Sequence, residues 1–339
     1  MNIRFTLPRR LLAGVLLAAP ALLSAPAVQA QAAYPSKPIR LVVPWPAGHT
    51  VDIVARVLAP RLQADLGQPV FVDDVGGASG VIGLTQIAKS TAPDGYTLLL
   101  TSGGPVVLAP LFVKNIAYDS ARDFVPVGPI GWFGSILIAR PDFPAKNATE
   151  MLAYLKANPG KVSFSSTGST SFNRLLMELF MSTTGTKMTH VPYRGEADQL
   201  NAIMSGTVDL AFSGSAASAP LVKTQKVKGI AVATPERNPL APDVASLNES
   251  GIPELKHFVE SGTETFIAMM APPKTPDAIV KVLNQEISRV LADPAFRAEL
   301  VKQGVDPSKP QSPEAFGKDL RDNIAMWKKV VEEAHITVD

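Results

Sequence analysis

Short apolar runs alternate along this chain with segments whose apolar positions recur every three or four residues, the pattern of strand followed by helix. Ile39–Val43 reads as a buried strand. Asp52–Leu66 reads as a helix with Ile53, Val54, Val57, Leu58 and Leu62 on one face. Pro60 is expected to kink or shorten that helix, and Gly67 to cap its end. Val70–Val72 is a second strand, the loop Asp73–Gly80 is glycine-rich, and Val81–Lys89 is a helix. Tyr96–Thr101 is a third strand. This β-α-β-α-β order predicts a parallel sheet with right-handed crossovers.

The pattern resumes at the strand Ile136–Ala139. Asn147 and Glu150 form a capping-box pair for a helix that buries Leu152 and Leu155. Strand Val162–Ser165, helix Phe172–Thr183, strand Thr189–Val191, helix Asp198–Met204 and strands Val208–Phe212 and Gly229–Ala233 complete a second α/β unit over 140–262. Phe266–Met270 is a further strand. Thr275-Pro276 opens a helix to Leu291, with proline at the first helical position. Asp293–Gln303 is helical, and Ser312-Pro313 begins a last helix to Ala334 that buries Phe316, Ile324, Trp327 and Val331.

One theme recurs in both halves: a strand ends in a small polar loop, and the loop opens a helix. Pro44–Arg56 is the first case, and the loops at Ser102-Gly103-Gly104, Ser166–Ser171 and Ser213-Gly214-Ser215 repeat it. In an open α/β sheet such loops lie at the carboxyl ends of the strands, where ligands bind. The first amides of the helix are unpaired there and the dipole is positive, so the loop reads as an anion cradle or as an ordinary connection. Taken alone, each single Ser or Thr reads better as a helix cap. The functional case rests on the repetition. Amides and hydroxyls with one Arg and one His suit reversible binding of a small anion. They do not suit bond-breaking, which needs a base with a shifted pKa.

Composition narrows the picture. A chain of 339 residues, 46% hydrophobic and 18% charged, is long enough for two domains with sizeable cores. The net charge of +2 rests on Arg4, Arg9 and Arg10; without them 29 basic residues face 30 acidic ones. Such a body offers no electrostatic footprint for nucleic acid. The absence of Cys excludes thiol catalysis, disulfides and thiolate metal sites. The three arginines, the apolar run Leu11–Leu23 and the small residues after it read as a signal peptide cleaved near Ala30, with Ala32 as a second site. Pro20 and Pro26 break that run, which is short for a membrane span. Arg9-Arg10 admits a twin-arginine signal, with ordinary secretion as the default. His49, His190, His257 and His335 are dispersed, and no metal-binding spacing or G-x-S-x-G elbow appears. The loop Gly76–Gly80 lacks the Lys-Ser/Thr ending of a phosphate loop and the spacing of a dinucleotide fingerprint. No cofactor and no metal are expected. Asp73-Asp74 reads as a solvated strand end.

An ordered series of motifs then resembles the substrate-binding proteins of tripartite tricarboxylate transporters, the Bug (TctC-like) receptor family of the proteobacterial periplasm. The matching stretches are Tyr34–Arg40, Pro44–Arg56, Leu66–Gly80, Ala92–Leu99, Tyr118–Val127, Ala157–Lys161, Ser165–Ser169, His190–Gly195, Gly206–Leu210 and Ala271–Asn284. The resemblance implies a two-lobed periplasmic-binding-protein fold of type II-like α/β architecture. Its crossing strands fall near Ile136–Ala139 and Phe266–Met270. The lobes are then 33–136 plus 265–339, and 137–264. It also implies a small carboxylate ligand held in the cleft by loops of both lobes. Carried over by position, the first lobe contributes Gly48, His49, Thr50, Val51, Ser79, Gly80, Ser102 and Gly103. The second contributes Thr167, Gly168, Ser169, Tyr193, Arg194, Gly195 and Ser213. The chain departs from the family pattern where Gly-Gly-Gly-Thr is here Gly48-His49-Thr50-Val51, and where Asn-Arg-Pro-Gly is here Asp74-Val75-Gly76-Gly77. The implied function is a monomeric, non-enzymatic periplasmic receptor that delivers its ligand to membrane transporter subunits. Two other readings are a ligand-sensing partner of a membrane sensor kinase and a periplasmic hydrolase using Ser169 or Ser213.

Overall fold

In the computed structural model the strands run, in chain order, β1 (Ile39–Val43), β2 (Val70–Asp74), β3 (Thr97–Ser102), β4 (Val125–Phe133), β5 (Ser135–Ala139), β6 (Ser163–Ser166), β7 (Thr189–Pro192), β8 (Leu210–Gly214), β9 (Lys228–Val232), β10 (Thr265–Ala271) and β11 (Val305–Pro307). The structure describes residues 34–260 and 263–333 together with Met1 and Ile336. The expected signal peptide with its cleavage near Ala30, and His335, lie outside the described residues.

The strands form two mixed sheets, ordered β11-β4-β10-β3-β1-β2 and β7-β6-β8-β5-β9. β1 pairs in parallel with β2 and β3, as the β-α-β-α-β order predicts. β6 pairs in parallel with β7 and β8. Each sheet also holds an antiparallel strand supplied from the other side of a crossing, β10 between β3 and β4 and β5 between β8 and β9, and the first sheet adds antiparallel β11 at its edge. Apart from β11 at its edge, the first sheet has the same order as the second, which makes this a two-domain α/β fold of the type II-like kind.

The chain leaves the first sheet at Gly134. A Cβ placed there would lie 2.1 Å from Thr234 Cγ2, so glycine lets the outgoing and returning segments pass closely. The apolar runs read as strands because both faces of the sheets are covered. Along β1, Leu41 and Val43 join one core with Val54 and Leu58 of helix Thr50–Leu66. Val42 points to the opposite core, with Leu84 and Val107. That second core continues into the other lobe through Phe164 and Phe212, and through Trp327 of the last helix, Pro313–Glu333. Trp327 meets Phe172 edge to face at 5.5 Å.

Some expectations are corrected by the structure. β4 and β11 were not anticipated. β4 carries Pro126, Gly128, Pro129 and Gly131, which read as turn formers, yet it pairs with β10 across two register shifts. Such bulges accommodate residues that cannot complete a ladder. Helix Thr50–Leu66 continues past Pro60, which is exposed and does not end it. Gly67 caps it in the left-handed conformation at φ 66°. Pro276 is the N-cap of helix Asp277–Ala292, one position before its expected place. Asn147 Oδ1 does accept from the Glu150 amide at 2.9 Å, but Glu150 reaches back to the Lys146 amide and the Asn147 side chain.

Candidate functional site

The loop after β1 turns at Gly48, whose φ of 86° belongs to the left-handed region, and enters helix Thr50–Leu66. Three side chains tie the turn down. Asp52 Oδ2 accepts from the Gly48 amide at 2.8 Å, returning from the first helical turn. His49 is the N-cap, and its Nδ1 accepts from the Val51 amide at 3.1 Å. The His49 ring also stacks on Trp45, with centroids 4.4 Å apart and planes 5° from parallel. Burial holds His49 far down, to about 3. The ring is therefore neutral, and with Nδ1 accepting, its proton sits on Nε2.

Glu196 faces this helix from the second lobe. It opens helix Glu196–Met204 just after Gly195 and is 3% exposed. Its Oε1 accepts from Ser213 Oγ at 2.8 Å and from the Gly214 amide at 2.7 Å. The Thr50 amide also bonds toward this carboxyl. Burial raises the Glu196 pKa, and these three donors offset part of that rise. First-turn amides that the sequence suggested for a ligand anion thus meet protein groups: Thr50 the Glu196 carboxyl, and Val51 the His49 ring.

The cleft between the lobes has two compartments. The outer one, about 830 Å³, is lined by Pro46, Asp74, Ser79, Thr167, Gly168, Ser169, Tyr193 and Arg194 among others. The inner one, about 20 Å³, is lined by Trp45, His49, Ser102, Phe133, Thr265 and, from the other lobe, Thr167, Phe172, Asn173, Glu196 and Gly214. Thr167 borders both. The lobes touch along this cleft. A Cβ on Gly168 would lie 2.2 Å from Ser79 Oγ, one on Gly214 2.4 Å from Thr50 Oγ1, and one on Gly195 3.0 Å from Pro46 Cγ. The arrangement is a closed one.

Of the residues read from the sequence, Ser79, Thr167, Gly168, Ser169, Tyr193 and Arg194 line the outer compartment, and His49, Ser102 and Thr167 the inner one. The others support them. Val51 is fully buried in the core beneath β1. Gly48 and Thr50 shape the turn. Gly80 turns at φ 91° against Pro105. The Gly103 amide donates to Thr265 Oγ1 at 3.1 Å. Gly195 packs on Pro46, and Ser213 serves Glu196. Asp73 and Asp74 are not a free pair at a solvated strand end. Asp73 pairs with Arg40 and Asp74 with Arg56, which also meets Asp52. Burial, then the nearby Asp52, raises the Asp74 pKa.

Trp45, Phe133, Phe172, Asn173, Glu196 and Thr265 were missed. The acid directly after Tyr193-Arg194-Gly195 was a readable signal for Glu196. The rings were not readable, because an apolar residue bordering a cleft looks like core. For nucleophilic chemistry, Ser213 is committed to Glu196, and it is Ser166, not Ser169, that lies 2.7 Å from His190 Nε2. His190 is held down to about 4 by burial and by Arg174. Among the described residues no cluster of three or more His, Cys, Asp or Glu is placed to hold a metal. No described helix is long and apolar enough to cross a membrane.

Comparison with known proteins gives a consistent result. A family model described as tripartite tricarboxylate transporter family receptor matches residues 54–336. The protein BugT of Bordetella pertussis is 34% identical over 303 residues, 88% of this chain and 90% of that protein. The structure of the periplasmic binding protein BugD aligns with a TM-score of 0.83 at 32% identity, covering 90% of this chain and 99% of BugD. An R. palustris protein solved with adipate aligns with a TM-score of 0.83 at 30% identity, covering 90% of this chain and 99% of that one.

Proposed function

The chain belongs to the tripartite tricarboxylate transporter receptor family, and from that premise we propose that it captures a small carboxylate between its two lobes in the periplasm and delivers it to a membrane transporter. The observation that carries this reading is the cleft itself. Both lobes turn strand-end loops rich in Ser, Thr and Gly into one compartment, and Arg194 stands at its side. Such neutral donors, backed by helix N-termini, hold an anion without reacting with it. The adipate found with the R. palustris relative supports the same ligand chemistry. In this reading the lobes are 33–136 with 265–339, and 137–264, and they close on the ligand by hinge motion. The exported chain is cut near Ala30, acts as a monomer and performs no catalysis.

Native mass spectrometry of the purified mature protein, followed by thermal unfolding with mono-, di- and tricarboxylates, tests the reading. A ligand at 100 times its dissociation constant is expected to add about 2.7 kcal/mol to stability. A carboxylate that co-purifies and raises the melting temperature is the expected result. Indifference to every acid, together with turnover of an ester or amide substrate, would overturn it.

A further inference from the structure

The inner compartment has a chemistry of its own. Its acid is Glu196, and no Lys or Arg lines it. Glu196 Oε1 is fully engaged, but Oε2 is buried and accepts no hydrogen bond. Trp45 Nε1 is likewise buried and unpartnered. The compartment is also lined by the rings of Trp45, Phe133 and Phe172 and by His49, which stacks on Trp45. A buried carboxylate oxygen without a partner is costly, and burial, offset in part by the Ser213, Gly214 and Thr50 donors, pushes Glu196 toward its neutral form. A cation placed against aromatic faces is attracted by their π-systems. It would also pair with Oε2.

We infer that the inner compartment receives the primary ammonium end of a zwitterionic ligand, paired with Glu196 Oε2 and walled by Trp45, Phe133 and Phe172. The inference rests on the receptor reading above and names the ligand class within it: a short amino carboxylate in place of a dicarboxylate. Size sets the head group. About 20 Å³ accommodates one water-sized group, which matches –NH₃⁺ and not a trimethylated ammonium. Thr167 borders both compartments, and in this proposal the ligand's carboxylate lies outward, toward Ser169 and Arg194. A second carboxylate directed inward would have to share a proton with Glu196, whereas an ammonium pairs with the ionised carboxylate directly.

The test is calorimetric titration of the mature protein with three matched series of equal chain length: ω-amino carboxylates, their N-trimethylated forms and alkane dicarboxylates. The wild type is expected to bind the best ω-amino carboxylate at least tenfold more tightly than either counterpart. Glu196→Gln keeps a carbonyl oxygen for Ser213 and Gly214 and is expected to lose that preference or reverse it toward the dicarboxylate. Should Glu196→Gln fail to fold by circular dichroism, the wild-type ranking decides. Saturable dicarboxylate binding at equal or higher affinity overturns the inference and leaves the receptor reading standing. Binding of no member of any series overturns the inference, and the receptor reading is then decided by the thermal-unfolding and turnover test described above.

Discussion

Lowering the pH from 7 to 4 is expected to remove about 3 kcal/mol of stability through His49 alone. The ring is buried and neutral in the fold, where its pKa is brought down to about 3 from the ordinary 6.5. In the unfolded chain it takes up a proton below pH 6.5. The unfolded state therefore binds more protons across the window between those values. The contribution is present above pH 6.5 and is lost progressively as pH falls toward 3. His190, held at about 4, acts in the same direction and more weakly because it is only partly buried. Glu196 acts in the opposite sense: its raised pKa favours the fold at low pH and withdraws that support as pH rises. Urea unfolding of the wild type and of His49→Asn at pH 7 and pH 4 checks the claim. Asn is a good N-cap, so the substitution retains the helix start and removes the titration. The stability gap between the two proteins should shift by about 3 kcal/mol in favour of the variant on acidification. Parallel pH profiles would mean that His49 is protonated freely and does not sit buried against Trp45.

The second large effect concerns closure. Gly168→Val is expected to weaken ligand binding by about 100-fold, equivalent to about 2.7 kcal/mol. Gly168 has a φ of 124°, a conformation that L side chains rarely adopt, and it abuts Ser79 of the other lobe. A branched side chain there is strained locally and also fills the space into which Ser79 closes. The two effects separate in the double variant Ser79→Gly with Gly168→Val. Relief of the contact should recover part of the affinity, whereas local strain would remain. An affinity unchanged in Gly168→Val would show that the ligand does not need the lobes to meet at this point.

Much of the fold was legible because its strands are covered on both faces. The apolar runs of β1, β3, β5, β8 and β10 stand out, and Gly67 and Asn147 mark helix ends by their chemistry. β4 was not legible: its prolines and glycines carry a local turn signal, and only pairing with β10 across bulges overrides it. The outer compartment was legible as a set of strand-end loops. The inner one was not, since it is formed where the lobes meet, and no local pattern brings Glu196 to the N-terminus of helix Thr50–Leu66. The departures from the family pattern divide in the same way. Val51 belongs to the core, whereas Asp74, paired with Arg56, lines the outer compartment and His49 the inner one.

Trp45 offers the most direct test that the ligand sits between the lobes. It is one of three tryptophans and borders the inner compartment, whereas Trp132 borders a groove elsewhere, beside Gly134 and Thr234. Fluorescence titration with a carboxylate that stabilises the protein should give a saturable change in emission. The change should vanish in Trp45→Phe and persist in Trp132→Phe. A ligand that saturates the wild type by calorimetry while the Trp45 emission stays constant would contradict the account and place binding outside the cleft.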